Sequence, residues 1–175
     1  MLVAIDLQND IFDEEGSGFA KWTERIRDGI EERIQRAIDE DEPIIYTRNL
    51  YPDFEHDKRS TESIRFDEEI FPQFRELLEN HGDEYTKTFY GIPPEEAQSL
   101  KDTYYQDVES NRPIEFIGAE TNICILANIM VIQNIFPHAE LLLNKNLVAS
   151  TSDDLHDKAI ELLSNMNVTI TETTG

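Results

Sequence analysis

Residues 1–10 read MLVAIDLQND, and the pattern within them decides the fold class. Leu2, Val3, Ala4 and Ile5 are apolar without alternation, which is how a strand reads when both of its faces are covered. Asp6 then ends the run with a carboxylate at the strand's carboxyl end. Strands covered on both faces belong to parallel sheets, whose connections are crossover helices. The rest of the chain is therefore expected to alternate strand with helix.

It does. Short runs rich in Ile, Leu and Val recur at residues 2–5, 43–47, 113–118, 139–143 and 168–171, and a weaker one at 84–89 brings the count to six. Between them lie helical patterns. In WTERIRDGIEERIQRAI (residues 22–38), Trp22, Ile26, Ile30, Ile34 and Ala37 recur every three or four positions, one apolar stripe among charges. Similar stripes cover 67–79, with Ile70, Phe71, Phe74, Leu77 and Leu78, then 94–105, and 152–165 with Ser152 or Asp153 as its cap. Residues 119–136, AETNICILANIMVIQNIF, are apolar almost all round and predict a central, well-buried helix. The alternation predicts an α/β fold: right-handed βαβ units and a parallel sheet with helices on both faces. Two polar stretches, 10–21 and 49–66, each follow a strand's carboxyl end, where open α/β sheets build their ligand sites.

Composition narrows the function. A chain of 175 residues, 39% hydrophobic and 30% charged, has the size and make-up of one soluble domain, residues 1–175. No apolar stretch approaches the roughly 18 residues that a membrane span needs, and no basic leader precedes the first strand, so a cytoplasmic protein is expected. With one cysteine, Cys124, there is neither an intrachain disulfide nor a multi-cysteine zinc site. The formal charge of −22, from 37 acidic against 15 basic residues, argues against nucleic acid and anionic membrane surfaces as partners, since both are held through Lys and Arg on phosphate. Polyanionic partners are not expected.

DLQNDIF after the first strand lacks the glycine-rich turn of a dinucleotide site, and no GxxxxGK[ST] occurs. The junction FIGAETNICIL (residues 116–126) says more, because it ends a strand at Gly118 and starts a helix near Thr121, with Cys124 in the first turn. A helix N-terminus carries about half a positive charge, which favours a thiolate. A free cysteine in a buried helix is ordinarily packing, and an acid at a strand end is ordinarily a local cap. Their relation is what points to chemistry: if the first strand and the strand ending at Gly118 are neighbours, Asp6 faces Cys124 across the crevice, a base beside a nucleophile.

These residues resemble the isochorismatase-like cysteine hydrolases, which include nicotinamidases and related amidases. The family's D-x-Q-x-D-F-like string is matched by Asp6, Gln8, Asp10 and Phe12, with Ile11 inserted before the aromatic. Its G-x-x-T-x-x-C-like motif is matched by Gly118, Thr121 and Cys124, and YTKTFYG supplies a lysine, Lys87. The resemblance implies six parallel strands in the order 3-2-1-4-5-6, a catalytic Asp6–Lys87–Cys124 triad, and a non-proline cis peptide in the loop of residues 118–121. It further implies an oxyanion hole from the N–H groups of Glu120 and Cys124, substrate contacts from Phe12, Asn49, Tyr51 and Thr121, and a homo-oligomer, dimer or tetramer.

The stretch after the second strand departs from the family, as do Lys145 and Asn146, which stand where the family usually has D-A after the fifth strand. Metal-dependent nicotinamidases resemble T-x-D-W-H-P after the second strand, where the Asp and His bind the ion. Here the stretch is TRNLYP, so Asn49 and Tyr51 stand at the ligand positions while Thr47 and Pro52 remain. His56, between Asp53 and Asp57, reads as solvated surface. The expected protein is therefore a cysteine hydrolase of a small carboxamide that needs no metal or other cofactor, with vinyl-ether hydrolysis or a non-catalytic binding role on the same fold as alternatives.

Overall fold

A computed structural model describes residues 1–109 and 112–172. Six strands, β1 (Leu2–Ile5), β2 (Ile44–Asn49), β3 (Gly82–Lys87), β4 (Ile114–Ala119), β5 (Leu141–Ala149) and β6 (Val168–Thr171), form one parallel sheet in the order β3-β2-β1-β4-β5-β6. The β1 residues alternate between two cores. Leu2 and Ala4 face a layer made by α2 (Arg27–Asp39) through Ile30, Ile34 and Ala37, and by α5 (Pro72–His81) through Phe74 and Leu78. Val3 and Ile5 face the opposite layer, made by α6 (Pro94–Glu109) through Leu100 and Tyr104, by α7 (Leu126–Ile135) through Ile129 and Ile132, and by Leu163 of α8 (Asp153–Ser164). All four β1 residues are wholly buried, as the unalternating run predicted.

Register brings the site together. Ile5 lies opposite Thr47 on one side and Gly118 on the other, and Asn49 lies opposite Lys87. The crevice opens between β1 and β4, where the strand order reverses. Gly118 is required there: its φ is +115°, and an added Cβ would sit 2.1 Å from the Ile5 carbonyl oxygen.

Four elements differ from the sequence reading. The stripe over 22–38 is a 3₁₀ turn (Lys21–Arg25) followed by α2. The helix expected over 67–79 is broken: α4 (Thr61–Glu68) ends, Ile70 leaves to form an antiparallel bridge with Gln8, and α5 begins at Pro72. Proline at a first helical position starts a helix and cannot continue one. The 49–66 stretch, expected to be irregular, holds α3 (Asp53–His56) and part of α4, just as 10–21 holds part of α1 (Asn9–Phe12). Finally, β5 runs six residues past 143, where the apolar run ends, to Ala149 through Asn144, Lys145 and Asn146. Leu143 pairs with Phe116 and Val148 with Gly118, so the residues between them are out of register with β4, while Asn144 still pairs with Thr171 of β6.

Candidate active site

Asp6 follows β1 with φ at +50°, a conformation that few non-glycine residues adopt. Its N–H donates to Thr47 Oγ1 at 3.1 Å, and that hydroxyl donates to Asp6 Oδ1 at 2.6 Å, so β2 clamps both ends of the residue. Lys87 ends β3, 2% exposed, with Nζ 2.7 Å from Asp6 Oδ2. The same ammonium donates to Asn49 Oδ1 at 3.2 Å and the Phe89 carbonyl at 2.9 Å, and lies 3.6 Å from Cys124 Sγ. Its three partners satisfy a buried charge that would otherwise be costly.

Cys124 sits in a π-helical turn, Thr121–Ile125, that leads into α7. The Glu120 carbonyl accepts from both Ile123 N–H and Ile125 N–H, at 3.1 Å each, which widens the turn around the cysteine. The peptide between Ala119 and Glu120 is cis, within the 118–121 loop expected to hold one. Burial pushes the Cys124 thiol well above its ordinary pKa, the Asp6 carboxylate adds to that rise, and Lys87 opposes it. This is opposite to the direction expected from a helix start, because at this depth desolvation and a neighbouring anion outweigh a helix terminus. The resting group is a protonated thiol within hydrogen-bonding reach of a carboxylate. Such a pair can pass the proton from sulfur to oxygen as sulfur attacks.

The cavity in front of this pair is about 260 Å³. Asp6, Cys124 and Asn49 form its floor, and Tyr51, Phe54, Phe89 and Ile11 its walls. Two expected contact residues are absent from the lining. Phe12 is wholly buried in the α2/α5 core, stacked edge-on to Phe74 at 5.4 Å; Ile11, one residue earlier, faces the cavity instead. The Thr121 hydroxyl points backward to His156 Nδ1, 3.0 Å away on α8. Asn49 and Tyr51 do line the cavity, and His56 is exposed on α3.

The family's metal does not fit the residues at its expected position. Asn49 Oδ1 already accepts from Lys87, and burial pushes the Tyr51 phenol up to about 12, leaving it neutral. Among the described residues no three His, Cys, Asp or Glu side chains converge to hold an ion. An organic network occupies this wall instead. The Arg59 guanidinium lies 4.7 Å from the centre of the Tyr51 ring and pairs with buried Asp67, and Ser17 Oγ donates to Asp67 and Asp10.

The sequence reading passed over two positioning residues. Buried Asn128 accepts from Ile92 N–H at 2.9 Å and donates to the carbonyls of Tyr90 at 3.0 Å and Cys124 at 2.8 Å, tying the 88–92 wall to the cysteine's turn. Arg59 is the other. Neither belongs to a motif, and an asparagine inside an apolar helix was the only available signal for the first.

The isochorismatase domain model matches residues 1–175. Among solved structures, nicotinamidase from Bacillus subtilis superposes with a TM-score of 0.80 at 20% identity, covering 98% of each chain. Pyrazinamidase/nicotinamidase from Streptococcus mutans gives 0.79 at 18% identity over 97% of this chain and 98% of that one. The zinc complex of Pyrococcus horikoshii pyrazinamidase gives 0.74 at 15% identity over 98% of each. A comparison with curated proteins finds no match.

Proposed function

The chain belongs to the isochorismatase family, and from that premise we propose that it is a cysteine amidase that hydrolyses the C–N bond of a small carboxamide through a thioester on Cys124. The observation that carries this reading is the meeting of Asp6, just after β1, Lys87, at the end of β3, and Cys124, in the turn after β4: Lys87 Nζ reaches both partners, and Asp6 and Cys124 line one small cavity. As Cys124 Sγ attacks the amide carbonyl, Asp6 takes the thiol proton. The N–H groups of Glu120 and Cys124 receive the negative charge that develops on oxygen. Asp6 passes the proton to the leaving nitrogen as the C–N bond breaks, giving free amine or ammonia and a thioester. Asp6 then deprotonates the water that attacks the thioester, and the acid departs as sulfur recovers its proton. Lys87 stabilises the ionised partners throughout.

The reading includes independence from metal, because Asn49, bonded to Lys87, and a neutral Tyr51 compete poorly with water for a divalent ion. A cysteine aligned with a base favours acyl transfer over vinyl-ether hydrolysis, which needs no nucleophile. Intact-mass spectrometry during turnover of a carboxamide library tests the proposal. The expected result is an acyl adduct on Cys124, and ammonia release that survives exhaustive EDTA treatment. Turnover that leaves Cys124 unmodified, with the Cys124→Ala variant equally active, overturns the thioester. Activity lost to EDTA and restored by zinc overturns the metal independence.

A further inference from the structure

The charge of the cavity wall is one-sided. Apart from Asp6, which is paired with Lys87, the lining includes three acids, Asp10, Glu55 and Glu120, and among the described residues no Arg, Lys or His. Lys87 lies behind the floor, 2% exposed, its charge already committed to Asp6 at 2.7 Å. The ammonium at the rim, Lys58, is already paired with Glu55 at 3.2 Å, and Glu120 is bonded to Thr151 N–H, so a substrate carboxylate would meet the like charges of Asp10 and Glu55 with no cationic side chain in the lining. Anions are disfavoured by both counts.

The aromatic residues carry the argument further. Phe54, Phe89 and Tyr90 line the cavity and remain 50%, 59% and 59% exposed, so ring surface is open at the mouth. Aromatic faces beside carboxylates are a surface for binding cations. The protein's own side chains demonstrate this: Lys58 Nζ sits 5.0 Å from the centre of the Phe54 ring and 3.2 Å from Glu55 Oε1. Because the Lys58 side chain is 64% exposed, an incoming cation displaces it at little cost. Asp10 is fixed in the facing wall by Ser17 Oγ at 2.9 Å and Gly18 N–H at 2.8 Å on one of its oxygens. A formal charge of −22 over the whole chain draws cations toward this opening.

Resting on the amidase reading, we infer that the substrate is a cationic carboxamide, its positive charge seated at the mouth between Glu55 and Asp10 and against the Phe54, Phe89 and Tyr90 rings. The amide carbon then reaches Cys124 on the floor.

Three aryl amides of closely similar shape test the charge: 3-carbamoyl-1-methylpyridinium, pyridine-3-carboxamide and 3-carbamoylbenzoate. Ammonia release by the wild-type protein and binding to the Cys124→Ala variant are both measured, at low salt and in 1 M NaCl. The expected order is cation, neutral, anion, with the cation at least tenfold ahead of the neutral amide in kcat/KM and in affinity at low salt. That lead, read as the cation-to-neutral ratio of kcat/KM and of affinity, should shrink severalfold in 1 M NaCl and in Glu55→Gln. A neutral or anionic amide that binds as well as the cation, or no binding by any of the three, overturns the inference. Ammonia release from none of them, with the cation still bound best, counts against the amidase reading and leaves the charge preference standing.

Discussion

Asp6 has a backbone as unusual as its position. A φ of +50° is costly for a residue with a Cβ, and it persists because Thr47 bonds both the N–H and one carboxylate oxygen while Lys87 holds the other. The same three contacts hold the carboxylate beside a protonated thiol, so Asp6 acts on Cys124 in two opposed ways. At rest its charge suppresses the thiolate, and in the proposed mechanism it accepts the proton during attack. Asp6→Asn separates the two. Turnover should fall by about 10²–10⁴, the usual span for a lost general base. Iodoacetamide alkylation of Cys124 near neutral pH should instead speed up, because the anion that raised the thiol pKa is gone and Lys87 remains. Slower alkylation together with lost turnover would mean that Asp6 mainly shapes the site.

The loop before the nucleophile is fastened at three successive residues to the segment that follows β5. Glu120 Oε2 accepts from Thr151 N–H at 2.9 Å, Asn122 Oδ1 accepts from Ser150 Oγ, and Thr121 Oγ1 meets His156 Nδ1. Burial lowers the His156 pKa against the opposing pull of Asp157 and Asp153, and Lys145 adds to the lowering. A histidine whose folded pKa is depressed contributes stability above its unfolded value, about 6.5, and loses it as pH falls through the folded value. Compared with His156→Asn, the wild-type protein should therefore hold an advantage of about 1 kcal/mol at pH 7, the net worth of one hydrogen bond. Urea unfolding of both at pH 7 and pH 5 should show that advantage shrinking toward acid; a constant difference would remove His156 from the account. None of these three fastenings was legible in the sequence. The strands were, because an unalternating run such as Leu2–Ile5 is a local signal; Lys87 was grouped with Asp6 and Cys124 only through the family resemblance, because no local pattern marks a lysine that a distant aspartate will pair with. The extension of β5 was hidden by Asn144, Lys145 and Asn146, polar residues at a register shift between β4 and β5. The break at Ile70 was hidden because its bridge partner, Gln8, is far away in sequence. Phe12 and Ile11 were interchanged for a similar reason: a motif fixes the residue type expected at a site, while the turn of α1 decides which neighbour faces the cavity.

Across the whole molecule the fold and the charge are decided separately. Two apolar layers on a parallel sheet supply the stability, and the buried base Arg33 is neutralised locally, by Glu115 and Glu42 at 2.7 Å each. The remaining excess of acids contributes nothing to those layers and repels itself once the chain is compact. Added salt screens that repulsion: the Debye length shrinks from about 30 Å at 0.01 M to about 3 Å at 1 M, shorter than most spacings between surface acids. The melting temperature should climb over that range, with each kcal/mol of relief worth about 2–4 °C in a chain of this size. Sodium and potassium chloride should act alike, because screening depends on ionic strength and not on which monovalent cation supplies it. The same screening weakens attraction at the cavity mouth, so kcat/KM for a cationic amide should fall over the salt range that raises stability. Thermal melts and steady-state rates in one salt series check both signs together. A melting temperature that stays flat or drops with salt would show that self-repulsion is not a significant cost to this fold.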